Sequence, residues 1–318
     1  MGSVHSEPAQ SEYTSKLQDW DTRAAVRAKP RRILQDEESQ GKLYFPTELV
    51  PLAQHPTITN LGPSVARQMV VQHLYTYLDF TTLLEHDVVN VVAHEIAHEK
   101  IGFALPREMV FDAYKLYCDE AYHALFSVDL KLQVAAATGV DPLPGHMPSF
   151  LQRLRILQES VPRDLQQLAE VFFTIVSETL ISATLAQIPR DPRVVSAVRE
   201  VVADHAEDEG RHHAYFSSLL QILWPQLTPQ QQQIIGPLLP EFILGFLEPD
   251  YAAATRALTN LDLSSRSVEQ ILQEVYQPDQ VLTNARAAAA ATLRLFDRNG
   301  VLDEPHTAEA FFKSGLIK

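Results

Sequence analysis

Apolar residues recur along most of the chain at three- and four-residue steps, the period of one face of a helix, and no segment alternates as a strand would. From Ser64 to about Gly102 the pattern predicts helix throughout, as two helices or one broken near Asp79. Pro106 marks the next helix start, and a long helix follows to Gly139, placed where a left-handed capping glycine belongs. The stretch DPLPGHMP then reads as a loop. A helix from about Asp164 to Gln187 carries VFFTIVSETLISATL, and Asp191-Pro192 opens another that runs to about Trp224. Thr228-Pro229 starts a further helix, and stretches near 241–259 and 278–298 complete the series, ending at Asn299-Gly300. The expected fold is all-α: a polar N-terminal arm with a short helix over 1–62, a helical bundle over 63–300 and a tail over 301–318.

Composition narrows the function. Of 318 residues, 46% are apolar, enough for a large core, and the 11 glycines are few for a β-sandwich or barrel. Forty acidic against 26 basic residues give a net charge of −14, which disfavours nucleic acid and anionic membranes as partners. The single cysteine, Cys118, excludes an intrachain disulfide and any Cys-pair metal site. No signal-peptide pattern and no membrane-length apolar run is visible, so a cytoplasmic protein is expected. Gly2 and Ser6 match the short pattern for N-myristoylation.

Carboxylates inside apolar helical faces carry the chemistry, because a buried carboxylate needs protons, partners or metal to neutralise it. Glu85 lies in FTTLLEHDVV, Glu120 in YKLYCDEAYHALFS, Glu178 in FFTIVSETLISA and Glu209 in HAEDEGRHHAYFS. Two of them are followed by histidine at i+3, as Glu120-x-x-His123 and Glu209-x-x-His212, so each pair shares a helix face. One Glu from each of two helices plus Glu-x-x-His from two others is the ligand set of the ferritin-like carboxylate-bridged dimetal bundle. The segments DEAYHALFS and DEGRHHAYFS nearly repeat, as two equivalent halves of one centre would. His205 adds a third imidazole: Val202, His205, Glu209, His212 and Phe216 form one stripe. Asp119 and Asp208 stand beside the ligands as candidate acceptors for imidazole N–H groups. Carboxylates with imidazoles suit iron or manganese, and four carboxylates balance two divalent ions.

The set Glu85, Glu120-x-x-His123, Glu178 and His205-x-x-x-Glu209-x-x-His212, with TTLLEHDVVN around the first glutamate, resembles the p-aminobenzoate N-oxygenase family of diiron enzymes over about residues 60–300. The resemblance implies a homodimer with two iron ions per chain, O₂ as co-substrate and a separate electron donor such as a reductase or ferredoxin. It implies oxidation of a primary amine, free or carrier-bound, to a hydroxylamine, nitroso or nitro product. Such relatives hold a substrate carboxylate with a basic residue near the C-terminal helices, which makes Arg286 and Arg294 candidates here. Tyr117, Tyr122, Phe172 and Phe173 flank the ligands, and Tyr122 and Phe172 are the aromatic candidates for the substrate pocket. Carbon hydroxylation, desaturation or oxidative cleavage at the same centre is the enzymatic alternative, and a ferritin-like metal-binding protein the non-catalytic one.

A competing motif, His94-Glu95-Ile96-Ala97-His98, has the H-E-x-x-H form of zinc peptidases. It lacks the extended third-histidine pattern, and at 100° per residue its histidines face away from Glu85. It would also need Glu120, which the dimetal set uses. An exposed or interfacial histidine pair is expected instead.

Overall fold

The computed structural model describes residues 13–185 and 187–317, leaving aside the side chains of 182–184, so Gly2 and Ser6 lie outside it. Helix α1 (Pro63–Leu84) passes Asp79 without interruption. A π-helical turn follows at Glu85–Val89, and the chain continues as α2 (Asn90–Ala97). The break expected near Asp79 is thus replaced by an irregularity at the first buried glutamate. Such a turn inserts a residue into the helical ladder and re-aims its side chains, and it recurs at functional sites. Next come α3 (Arg107–Thr138), α4 (Ser149–Glu159), α5 (Gln166–Leu185) and α6 (Ser196–Leu223).

The central bundle is built by α1 and α2 on α3, α3 on α6, α6 on α5, and α5 against the π turn. Pro106 directly precedes α3, and Gly139 ends it at φ 65°, the left-handed cap its position suggested. The start of α6 differs from expectation. Leu43 donates its N–H to Arg193 O at 2.8 Å and accepts from Val195 N at 2.9 Å, so the chain after Asp191-Pro192 is held extended and the helix opens at Ser196.

An outer layer follows: α7 (Pro229–Ile235), α8 (Leu239–Leu247), α9 (Tyr251–Thr259), α10 (Ser265–Val275), α11 (Pro278–Arg298) and α12 (Pro305–Ser314). Thr228 and Gln231 close a capping box on α7. The stretch 241–259 is two helices, because Pro249 lacks an N–H and Asp250 starts α9 afresh by accepting from Ala253 N at 2.9 Å. The segment 301–318, expected as a tail, carries α12, with Phe311 buried 6.0 Å from the Phe296 ring. Gly236 admits this packing, since a Cβ there would lie 1.8 Å from Thr307 Oγ1.

Phe150, Phe172, Phe173, Phe216 and Phe242 are fully buried. Each stabilises the fold by roughly 1.5–3 kcal/mol through burial. Among the described residues no strand is present, only an isolated bridge between Leu43 and Val194. No described helix is long and apolar enough to cross a membrane.

The N-terminal arm is strapped over the bundle. Its short helices Trp20–Arg23 and Ala25–Ala28 lead into the basic run, and the second packs on α3 and α6. Lys29 pairs with Glu207 at 2.6 Å, Arg31 with Asp129 at 2.7 Å and Arg32 with Asp204 at 2.8 Å. The basic patch therefore anchors the arm to acidic positions on α3 and α6.

Candidate metal centre

Each central helix delivers its share to one sealed cluster. The π turn presents Glu85, α3 Glu120 and His123, α5 Glu178, and α6 His205, Glu209 and His212, all at most 2% exposed. Spacing explains α6: residues at four and three steps stack on one face, and the whole stripe Val202, His205, Glu209, His212 and Phe216 is buried.

The candidate donor atoms gather into overlapping groups within 4.8 Å of one another: Glu85, His123, His205 and Glu209; Glu120, His123, Glu209 and His212; and Glu85, Glu120 and Glu178. His212 Nδ1 lies 2.9 Å from Glu120 Oε1 and 3.3 Å from Glu209 Oε1, and His123 Nδ1 lies 2.8 Å from Glu120 Oε2. Glu209 is shared by the first two groups and Glu120 by the last two; His205 groups with Glu85 and His123, whereas Glu178 groups with Glu85 and Glu120 and lies 3.9 Å from His212 Nδ1.

Both oxygens of Glu85, Glu178 and Glu209, together with Glu120 Oε1, His205 Nε2 and His212 Nδ1, are buried without an aligned hydrogen bond. Buried polar atoms are otherwise almost always satisfied. A set of unsatisfied oxygens and imidazole nitrogens this dense fits a pair of cations, and its oxygen-rich character suits iron or manganese.

Electrostatics agree. Burial pushes the Glu85 and Glu178 carboxyls well above the usual range, reinforced by Glu120 and Glu209. Burial also acts against ionising Glu120, but His212 and His123 hold it well below the usual range. Glu209 is brought to about 2 against its burial by His212 and His205. Burial lowers the His123 imidazole, and Asp208 and Glu120 more than reverse this, to about 10. His212 is likewise raised against burial by Glu120 and Glu209, whereas burial and the neighbouring His123 lower His205. Within the seven, two carboxylates face two imidazoliums while two carboxyls hold protons. Cations would take the place of these protons.

The outer contacts fix the rings. Asp119 lies 3.2 Å from His212 Nε2 and Asp208 3.1 Å from His123 Nε2, as expected for acceptors that orient ligand imidazoles. Asp119 also accepts from Trp20 Nε1 at 2.8 Å, whereas Asp208 accepts from Ala25 N at 3.1 Å and from the Arg211 guanidinium. Sequence reading missed Trp20, Ala25 and Arg211. It also missed Tyr77, whose buried hydroxyl has no partner and is raised first by burial, then by Glu209 and Glu85.

The substrate candidates fall in different places. Arg286 donates to the Gly315 carbonyl beyond α12, and Arg294 is exposed on α11, its carbonyl accepting from Arg298 Nε. Phe172 is fully buried edge-on to Trp224, with ring centroids 5.8 Å apart. Phe173 also lies in the core, and Tyr117 is exposed. Tyr122 lines a cavity of about 290 Å³ with Arg31, Arg32, Phe126 and Asp204. Phe126 separates that cavity from the cluster, its ring centroid 5.3 Å from His123 and 5.8 Å from His205. His94 and His98 lie outside the cluster, stacked at 4.3 Å beside Tyr117 and Tyr114, while Glu120 belongs to the buried set.

A helical bundle whose long helices bring four carboxylates and three imidazoles to one buried cluster belongs to the ferritin-like dimetal class. Within that class, residues 17–300 match the family described as p-aminobenzoate N-oxygenase AurF, and the chain belongs to this family of monooxygenases. It is also 23% identical over 265 residues to a 4-aminobenzoate N-oxygenase of Streptomyces thioluteus, covering 80% of this chain and 76% of that protein.

Proposed function

We propose that the protein is an O₂-dependent N-oxygenase of a primary aryl amine, holding two iron ions through Glu85, Glu120, His123, Glu178, His205, Glu209 and His212. The observation that carries this reading is the set of unsatisfied donor atoms sealed inside the family's bundle. When bound, the iron pair supplies the activation of O₂ for transfer to nitrogen. The protein's residues provide the remainder. In this reading Glu120 and Glu209 span two halves, one with Glu85, His123 and His205 and the other with Glu178 and His212, while Asp119 and Asp208 hold the imidazoles in one orientation and Phe126 walls the cluster from the cavity at Tyr122. Of the four substrate candidates, Tyr122 lines the cavity that Phe126 separates from the cluster, and we retain it. Electrons come from a separate carrier.

A second copy of the chain is the partner we assign to the outer face of α3. Phe111, Tyr114, Cys118, Ala121, Leu125, Val128 and Leu132 follow one another at steps of three and four, a 3.5-residue repeat. Phe111, Leu125 and Leu132 are each more than 60% exposed. Monomers rarely expose so continuous an apolar stripe, and a stripe this regular can pair with its own copy.

Anaerobic loading with Fe(II), exposure to O₂ with 4-aminobenzoate and mass analysis of the product test the activity. An oxygenated nitrogen is expected. Zinc alone at the site with no O₂-dependent visible band, or oxygen inserted at carbon, would overturn the reading.

A further inference from the structure

Two ligand imidazoles are each backed by a buried aspartate, and the two aspartates are held differently. Asp208 receives the backbone N–H of Ala25 and the guanidinium of Arg211, neither of which is an aromatic ring. Asp119 receives the indole of Trp20, with Nε1 2.8 Å from Oδ1, while its Oδ2 lies 3.2 Å from His212 Nε2. Holding a carboxylate does not require a tryptophan, as Asp208 demonstrates in the same protein. Trp20 contributes in addition a conjugated ring that runs outward from the cluster. It stands in a short helix of the strap, only partly buried, with the Arg27 guanidinium 5.5 Å from its ring centroid. Phe126, the other ring against the ligands, meets His123 and His205 by packing alone, and neither of its contacts is a hydrogen bond.

We propose that Trp20 is the port through which reducing electrons reach the metal pair, by way of Asp119 and His212. The inference rests on the diiron reading above. The donor is a one-electron carrier protein of the iron–sulfur class that docks over the Trp20 face. Each electron leaves the reduced carrier, which is oxidised by one unit, and converts one ferric ion to ferrous. Two such transfers reload the pair. Trp20 acts as a tunnelling bridge and is unchanged, no bond of the chain is made or broken, and the proton between His212 and Asp119 stays in their hydrogen bond. Trp20 touches neither substrate nor metal, so its place is that of a relay and positioning residue.

The test uses the full-length iron-loaded protein. Formation of the O₂-dependent ferric band in the wild type is scored first, and its failure would sink the diiron reading without bearing on Trp20. Bleaching of that band is then followed anaerobically by stopped flow, with a reduced [2Fe–2S] ferredoxin and, separately, with dithionite. In Trp20→Phe, bleaching by ferredoxin is expected to slow several-fold while bleaching by dithionite, iron content and midpoint potential stay at wild-type values. Equal ferredoxin rates in the two proteins would overturn the proposal, and so would equal slowing with both reductants, which marks a purely structural role. If Trp20→Phe does not hold iron, Trp20→His keeps an N–H for Asp119 but loses the fused ring. At full iron occupancy it too must be slower with ferredoxin alone, and a wild-type rate overturns the port.

Discussion

His205 Nε2 lies 3.0 Å from Glu209 Oε1, one turn further along the same helix, and 3.3 Å from Glu85 Oε1 on the π turn. On the proposed assignment of halves, this contact ties the extra imidazole to the half that holds His123 and leaves the half with Glu178 and His212 one nitrogen poorer, so the two would be unequal binding sites. His205→Ala is expected to weaken one of the two ions by at least about tenfold, by analogy with the loss of an orienting group, and to leave the other nearly as tight. Competition with a chelator of known affinity resolves the two constants. Loss of both ions in parallel would contradict the inequality.

Asp119→Asn and Asp208→Asn keep size and remove charge from the acceptors of His212 and His123. An amide can present its NH₂ to the imidazole and favour the wrong tautomer. Metal affinity is expected to fall about 10- to 100-fold in each variant, with the helical content unchanged by circular dichroism. Wild-type affinity in both would show that the aspartates do not orient the rings.

How much of this was legible follows from the range of each signal. Glu120 with His123 and Glu209 with His212 could be read because i+3 on a helix is a local rule. His205 was readable for the same reason. Trp20 was not, because it meets Asp119 across 99 positions of sequence and nothing in WDTR points to a carboxylate on another helix. The π turn at 85–89 was hidden because EHDVV has ordinary helical composition and the inserted residue is a tertiary choice. The start of α6 was misplaced because Asp191-Pro192 is a good local cap that loses to the Leu43 backbone pairing. Arg286 was named by analogy alone, and its Nε donates to the Gly315 carbonyl, a contact that no local pattern announces.

Metal uptake is expected to release protons. Glu85 and Glu178 have raised values in the metal-free fold and give up protons when they bind cations. His123, at about 10, and His212, well above its ordinary value, are protonated at neutral pH and must also lose a proton to offer nitrogen. Affinity should therefore rise with pH and weaken as pH falls, with up to these four protons released per pair of ions near neutrality. Calorimetric titration with Mn(II) in two buffers of different ionisation enthalpy counts them. Proton uptake, or tighter binding at lower pH, would contradict the charge arrangement.

Glu178 is fully buried and neither carboxylate oxygen has an aligned partner. Without metal such a group destabilises, and removing an unsatisfied buried polar group recovers about 1–3 kcal/mol. Glu178→Leu, of similar size, should raise the unfolding temperature of the metal-free protein and at the same time abolish tight binding of one ion. A lower unfolding temperature for the metal-free variant would mean that the carboxyl is satisfied after all.

The outer face of α3 supplies the last test. Leu125 is 62% exposed on the repeat from Phe111 to Leu132, and Cys118 and Ala121 keep the middle of that stripe narrow. Small residues there let two helices approach closely, while Phe111 and Leu132 lie at its ends and would meet in an antiparallel pair. A charge in this seam must be buried unpaired against its copy, which costs several kcal/mol. Leu125→Glu should therefore convert a dimer to a monomer in sedimentation equilibrium, whereas Ile156→Glu, an equally exposed apolar position on α4, should not. Since α3 also carries Glu120 and His123 on its opposite face, iron content is measured alongside. A monomer that keeps its iron separates the interface from the metal centre, and a wild-type protein that sediments as a monomer removes the partner from α3.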